Sequence, residues 1–198
     1  MVKFTFDVES DWGGRSDTIH GIKQGIPYIL ELLDKHNIKA IFFLSTVYLD
    51  RYLDIAKVIQ SKGHIIGSHG HEHRSWRFAK WWEWRIDYMK SADLIRKHFG
   101  VDRAKLLYRA PKFSYSIKDQ VYSNRANHIS VLKQSLFEKP VSDDSILYAH
   151  PFDFPQPVTE APNLLLATLY SRFPNRRRLF ESYLAKYSKC DSTVQVVS

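Results

Sequence analysis

Short apolar runs alternate with longer stretches of helical periodicity along most of this 198-residue chain. That alternation restricts the fold more than any other feature. Val2, Phe4 and Phe6 are set against Lys3, Thr5 and Asp7, the period of a strand, and Gly13-Gly14 breaks the pattern. Ser16 or Asp17 is expected to cap a helix running to about His36, with Ile22, Ile26, Ile29, Leu30 and Leu33 as its buried stripe. Lys39 to Leu44 reads as a buried strand. A helix from about Val47 to Lys62 follows, with Gly63 as its stop. His64-Ile65-Ile66-Gly67 reads as a short strand ending in a turn. Phe78, Trp81, Trp82, Arg85, Met89, Ala92, Ile95 and Phe99 mark a long amphipathic helix ended by Gly100. Lys105 to Arg109 reads as a strand stopped at Ala110-Pro111, and Ile117 to Leu136 as a helix. Ser145 to Ala149 is the last clear strand. Leu179, Phe180, Tyr183, Leu184 and Tyr187 line a final helix, giving one domain over residues 1–188 and a frayed tail over 189–198.

Strands alternating with helices imply βα units around a parallel sheet, where chemistry gathers at the carboxyl ends of the strands. Asp7, His69, Arg109 and His150 fall at that end of four separate strands. Such a mixture of acid, base, ligand and cation suggests a site. The densest stretch is His69-Gly70-His71-Glu72-His73. One turn of helix would set His69 and His73 on the same side. Neutral imidazole is a common zinc ligand, and a zinc that works on a substrate takes three protein ligands and keeps one position open. A third ligand, expected to be a carboxylate, must come from elsewhere. His71 is expected to point away.

Composition narrows the remaining choices. The net charge of +8 could draw nucleic acid, anionic lipid or an acidic substrate. The cations are spread along the chain, the one tight run is Arg176-Arg177-Arg178, and no helix-turn-helix, zinc-finger or RNA-binding signature occurs, so no nucleic-acid partner is expected. No apolar run reaches the roughly 20 residues of a membrane helix. The single cysteine, Cys190, excludes an intrachain disulfide. The first residues enter a strand pattern directly and do not read as a signal peptide, so a cytoplasmic protein is expected. Oligomeric state is not legible.

The chain resembles the NodB-homology polysaccharide deacetylases (carbohydrate esterase family four) from about Val2 to about Tyr187. Thr5-Phe6-Asp7 looks like the first motif of that family. Gly67-Ser68-His69-Gly70-His71-Glu72-His73 looks like the second. Tyr108-Arg109-Ala110-Pro111 is similar to the third, and Ser145-Ile146-Leu147-Tyr148-Ala149-His150-Pro151 resembles the fifth. The resemblance implies an α/β fold, a distorted and incomplete (β/α) barrel of about seven parallel strands. It implies a hydrolase that removes an acetyl group from an N-acetylated sugar or glycan precursor using a divalent metal, zinc first, with cobalt or nickel as alternatives. Asp7 would be the general base, Arg109 its orienting cation, His150 the general acid, and His69 and His73 metal ligands.

Several positions depart from the family pattern. The usual first motif has two adjacent aspartates, the second of them a metal ligand, whereas Val8 follows Asp7 here. Asp7-Val8-Glu9 looks like a variant form, and strand alternation puts Asp7 and Glu9 on one side. Glu9 is therefore expected as the third ligand, with Asp11 in reserve. Lys112 stands where the family uses a backbone N–H for the oxyanion, and Tyr148 where a leucine packs beside the acetyl methyl. The fourth motif, which supplies an aspartate and a tryptophan, is missing. Asp153, Asp143 or Asp144 could partner His150. Trp76 is the expected substrate wall, while Trp81 and Trp82 fall on the expected core stripe. Two other readings remain: a related hydrolase of another C–N bond, with or without a metal, and a non-catalytic carbohydrate-binding domain.

Overall fold

The computed structural model describes residues 3–11, 16–114, 128–130, 145–154 and 176–187. Five strands form one sheet: β1 (Lys3–Val8), β2 (Ile41–Leu44), β3 (Ile65–Ser68), β4 (His128–Ser130) and β5 (Ile146–Ala149). Their order across the sheet is β3-β2-β1-β5-β4. Every pairing is parallel, with Asp7 beside Phe43, Phe43 beside Gly67, and Thr5 beside Tyr148. Among the described residues the sheet does not close into a barrel and has five strands rather than about seven. The alternation of elements read from the sequence does give the expected parallel α/β architecture.

β1 runs through the middle and is buried on both faces. Phe4, Phe6 and Val8 join Phe42, Leu44 and Ile66 in the main core, which helices cover. The Phe6 and Phe42 rings stack at 4.8 Å. Burying a side chain of this size contributes roughly 2–3 kcal/mol. Thr5, Asp7 and Glu9 point the other way, and all three are buried. Period-two alternation thus splits one strand into a core face and a polar face.

Four α-helices are described: α1 (His20–Lys35), α2 (Leu53–Ser61), α3 (Trp81–Phe99) and α4 (Arg176–Tyr187). The cap of α1 differs from expectation. The Asp11 carboxylate, not Ser16 or Asp17, accepts from the His20 and Gly21 N–H groups at 2.9 and 2.8 Å, and from Thr18 Oγ1 at 2.6 Å. It also removes Asp11 from the reserve of metal ligands, because its oxygens are committed to that helix end. Gly25 on α1 lets the turn after β5 close in, since a Cβ there would stand 2.0 Å from the Pro151 carbonyl oxygen.

Other differences are local. The expected helix from Val47 begins as a 3₁₀ segment, Thr46–Arg51, and turns α-helical only at Leu53. Residues 105–109 make a single bridge, Ser68 beside Tyr108, because a 3₁₀ turn at Arg103–Lys105, capped by Asp102, takes up the start of the segment. His128–Ser130 is a strand inside the stretch read as a helix, paired with β5. Its hydrogen bonds to a neighbouring strand outweigh the local pattern. The rest of that expected helix, Asp143, Asp144 and the tail 189–198 lie outside the described residues.

On α3 the buried face is Asp87, Ser91, Ala92, Ile95 and Phe99, with Gly100 ending the helix at φ +70°. Trp81 and Trp82 are 58% and 45% exposed, not part of the core stripe. The buried row runs back from Phe99 in steps of four through Ile95 and Ser91 to Asp87, with Ala92 beside it. Trp81 and Trp82 lie in the first turn, beyond the last buried residue of that row.

Candidate active site

The polar face of β1 meets the ends of β3 and β5. The Arg109 guanidinium is completely buried and donates from Nη1 to Asp7 Oδ1 at 2.6 Å, and from Nη2 to Thr5 Oγ1 at 2.8 Å. It lies 4.3 Å from the Phe43 ring centre, which desolvates the pair. Burial alone would raise the pKa of Asp7, but the Arg109 charge, helped by His69 and His150, outweighs it and holds the carboxyl below its usual range. Asp7 is therefore an ionised carboxylate at neutral pH.

Two residues along, Glu9 faces histidines. Its Oε2 lies 3.2 Å from His69 Nε2 and in direct contact with His73 Nε2. One ligand atom from each of Glu9, His69 and His73 falls within 4.8 Å of the others. Burial pushes Glu9 upward, and the two imidazoles pull it well below the usual carboxylate range. Burial would depress His69, yet Asp7 and Glu9 lift it.

The hydrogen bonds fit a site that could hold a cation. His69 Nδ1 sits 2.8 Å from the Arg109 carbonyl oxygen. If Nδ1 carries the proton, Nε2 presents a lone pair toward Glu9. Metal-ligating histidines are held in this way by a carbonyl behind them. Among the described residues, the buried atoms Glu9 Oε2 and His73 Nδ1 have no hydrogen-bond partner. Two imidazoles and a carboxylate that converge on one point are a donor set able to hold a divalent cation.

The 69–73 segment is a loop, not the helical turn expected. Gly70 adopts φ +81°, a region open to glycine at little cost. The Gly70 and His71 carbonyls accept from the Thr46 and Val47 N–H groups, each at 3.1 Å. From the other side, the buried Asp87 carboxylate accepts from the His71 and Glu72 N–H groups at 2.9 and 2.7 Å. Clamped in this way, the loop brings the His69 and His73 rings to 5.1 Å. His71 turns away toward Thr46 Oγ1, as expected. Asp87 was not anticipated, although an acid on the stripe traced back from Phe99 was a usable signal.

On the far side, His150 Nε2 lies 3.7 Å from Glu9 Oε1, and its Nδ1 lies 3.2 Å from Asp153 Oδ2. Of the three candidate partners, Asp153 is the one described beside His150. The ring stacks on Phe152 at 4.8 Å. Burial would depress the pKa of His150; Asp153, by charge and hydrogen bond, together with Glu9 and Asp7, carries it up to about 9. Lys112 has φ +57°, and among the described residues its N–H has no hydrogen-bond partner. Tyr148 packs edge-on against Phe113 at 5.4 Å. Trp76 is only 2% exposed, with Arg74 across its ring at 4.3 Å, so it offers no open face for a sugar. Its backbone N–H is tied to Ser114 Oγ, which draws it inward.

Asp7, Glu9, His69, His73, Arg109 and His150 thus share one region. The arrangement pairs an ionised carboxylate and a protonated imidazole on either side of a three-residue ligand cluster, a set suited to hydrolysis of an acyl bond. The chain is 32% identical over 87 residues to a peptidoglycan-N-acetylglucosamine deacetylase of Bacillus cereus, a match spanning 44% of this chain and 29% of that protein. Its fold is similar to that of the peptidoglycan N-acetylglucosamine deacetylase Bc1960, with TM-score 0.60, 19% identity, and coverage of 93% of this chain and 81% of that one. It is also similar to a carbohydrate esterase family 4 (CE4) pseudoenzyme from Bacillus anthracis, with TM-score 0.57, 20% identity, and coverage of 89% and 61%. The polysaccharide deacetylase family matches residues 1–128, and the chain belongs to that family.

Proposed function

We propose that this protein is a metal-dependent hydrolase that removes the acetyl group from an N-acetylated sugar of a glycan or glycan precursor. The observation that carries the reading is the convergence of Glu9, His69 and His73 between an arginine-paired Asp7 and an aspartate-backed His150. Glu9, His69 and His73 would hold a divalent cation, zinc in this reading with cobalt or nickel as alternatives, which would supply Lewis acidity and lower the pKa of water toward neutral.

The chain's own groups do the rest. Asp7, kept ionised and oriented by Arg109, takes the proton of the attacking water. The Lys112 N–H, held in its left-handed turn, is available to the oxygen that becomes negative on the carbonyl carbon. His150 gives its proton to the departing sugar nitrogen as the C–N bond breaks, while Asp153 holds its other nitrogen. Amide and water become amine and acetate.

The test is acetate release from N-acetylated chito-oligosaccharides by zinc-loaded protein. Asp7→Asn should lower turnover by about 10²–10⁴-fold with zinc still bound. Glu9→Gln should lose zinc by elemental analysis. Oligosaccharide binding without acetate release from the zinc-loaded parent would leave a binding domain as the better reading.

A further inference from the structure

The start of α3 and the residues before it carry an exposed patch that the active site does not use. Phe78 is 93% exposed, Ile86 66%, Trp81 58% and Trp82 45%, all within nine residues. Trp82 and Ile86 are four apart and share a helix face. Trp81 stands edge-on to Trp82 at 6.0 Å. Soluble surfaces rarely expose such a cluster unless it binds something.

The charges around the patch narrow what that is. From Arg74 to Ile86 the cations are Arg74, Arg77, Lys80 and Arg85, all exposed, against the single acid Glu83. Glu83 is already paired with Arg74. Lys80 lies over the Trp82 ring at 4.9 Å, and Arg77 over Phe78 at 5.6 Å. A second copy of this chain is a poor occupant, because a two-fold contact would set these cations against each other. A neutral glycan would leave them unused. Phe78 stands clear of its surroundings, the posture of a side chain that inserts rather than one that walls a pocket. Tryptophan and phenylalanine ringed by lysine and arginine are the residues that sit at the headgroup level of an anionic bilayer.

We propose that Phe78, Trp81, Trp82 and Ile86, with Arg77, Lys80 and Arg85, dock this protein on an anionic lipid surface. Among the described residues no helix is long and apolar enough to cross a membrane, so docking would be peripheral. Because the patch begins a few residues after the ligand His73, docking would bring the hydrolytic site close to the bilayer. The inference rests on the exposed patch and stands whether or not the proposed reaction does.

The test is flotation of the purified full chain with vesicles of phosphatidylcholine alone or mixed with phosphatidylglycerol. The parent should float with the anionic vesicles, and its tryptophan emission should shift to the blue. Added salt should weaken the association. A Phe78→Ser/Trp81→Ser/Trp82→Ser/Ile86→Ser variant should bind more than about tenfold more weakly, as should Arg77→Glu/Lys80→Glu. Acetate release from soluble oligosaccharides should be unchanged in both, with circular dichroism confirming the fold. No association of the parent with anionic vesicles overturns the proposal. So does equal binding by the four-serine variant, or a parent that dimerises in a manner the four-serine change abolishes while ignoring vesicles.

Discussion

His64 and His69 bracket the same short strand, β3, and both are buried, yet their surroundings drive them in opposite directions. At the amino end, burial, aided by Lys39, lowers the pKa of His64 to about 4. Its Nδ1 accepts the Ala40 N–H at 3.2 Å, which requires an unprotonated nitrogen there. At the carboxyl end burial works the same way on His69, but Asp7 and Glu9 overcome it. A buried imidazole is therefore not a functional sign in itself. What separates the two ends is the carboxylates that β1 delivers to one of them.

The carboxyl end should show the largest effect when unbalanced. Arg109→Met leaves Asp7 buried without its cation and should cost about 3–5 kcal/mol in urea unfolding. Adding Asp7→Asn should recover much of that loss, and failure to recover would mean that the arginine acts mainly through packing on Phe43.

The amino end predicts a pH dependence of the opposite origin. The unfolded chain takes up a proton on His64 below about pH 6.5, and the folded chain only below about 4. The folded pKa is depressed, so this contribution is complete above about 6.5 and is lost as pH falls toward 4. The loss should reach up to about 3 kcal/mol relative to His64→Asn, which keeps an acceptor for Ala40 without titrating. Parallel stability curves for the two proteins between those pH values would mean that His64 titrates alike in the folded and unfolded chain.

Smaller effects sharpen the view of the carboxyl end. Asp87→Asn puts a donor against one of the two loop N–H groups. It should destabilise by about 1–3 kcal/mol and weaken zinc binding about 10–100-fold in a chelator competition. Unchanged zinc affinity would mean that the loop holds its shape without Asp87. Lys112→Gly relieves a left-handed backbone and should stabilise by about 0.5–1 kcal/mol in thermal unfolding.

Much of this was legible along the chain because it depends on local periodicity. Alternation in β1 alone puts Thr5, Asp7 and Glu9 on one face, and the structure keeps them there. The run Lys39–Leu44 and the stripe of α1 also follow from residue spacing. The parts that were not legible depend on contacts between distant segments. Asp11 looks like a free loop acid until α1 arrives to use it as a cap. Trp76 looks like an open ring until Ser114 ties down its backbone and Arg74 lies over its face. The face of α3 was off by a fraction of a turn, because an apolar helix start can point to solvent as well as to a core.

The sequence by itself determined which side chains reach the carboxyl ends of the strands, since period-two geometry and short parallel strands leave no other place for them. Only the tertiary structure decided their partners. Glu9 meets two histidines, Asp7 meets an arginine 102 residues away, and His150 meets Asp153. The pairings of Glu9 and Asp7 are set by how distant segments meet beside β1, whereas His150 and Asp153 meet within one turn after β5, and the direction in which each group's pKa moves follows from the charge it meets there.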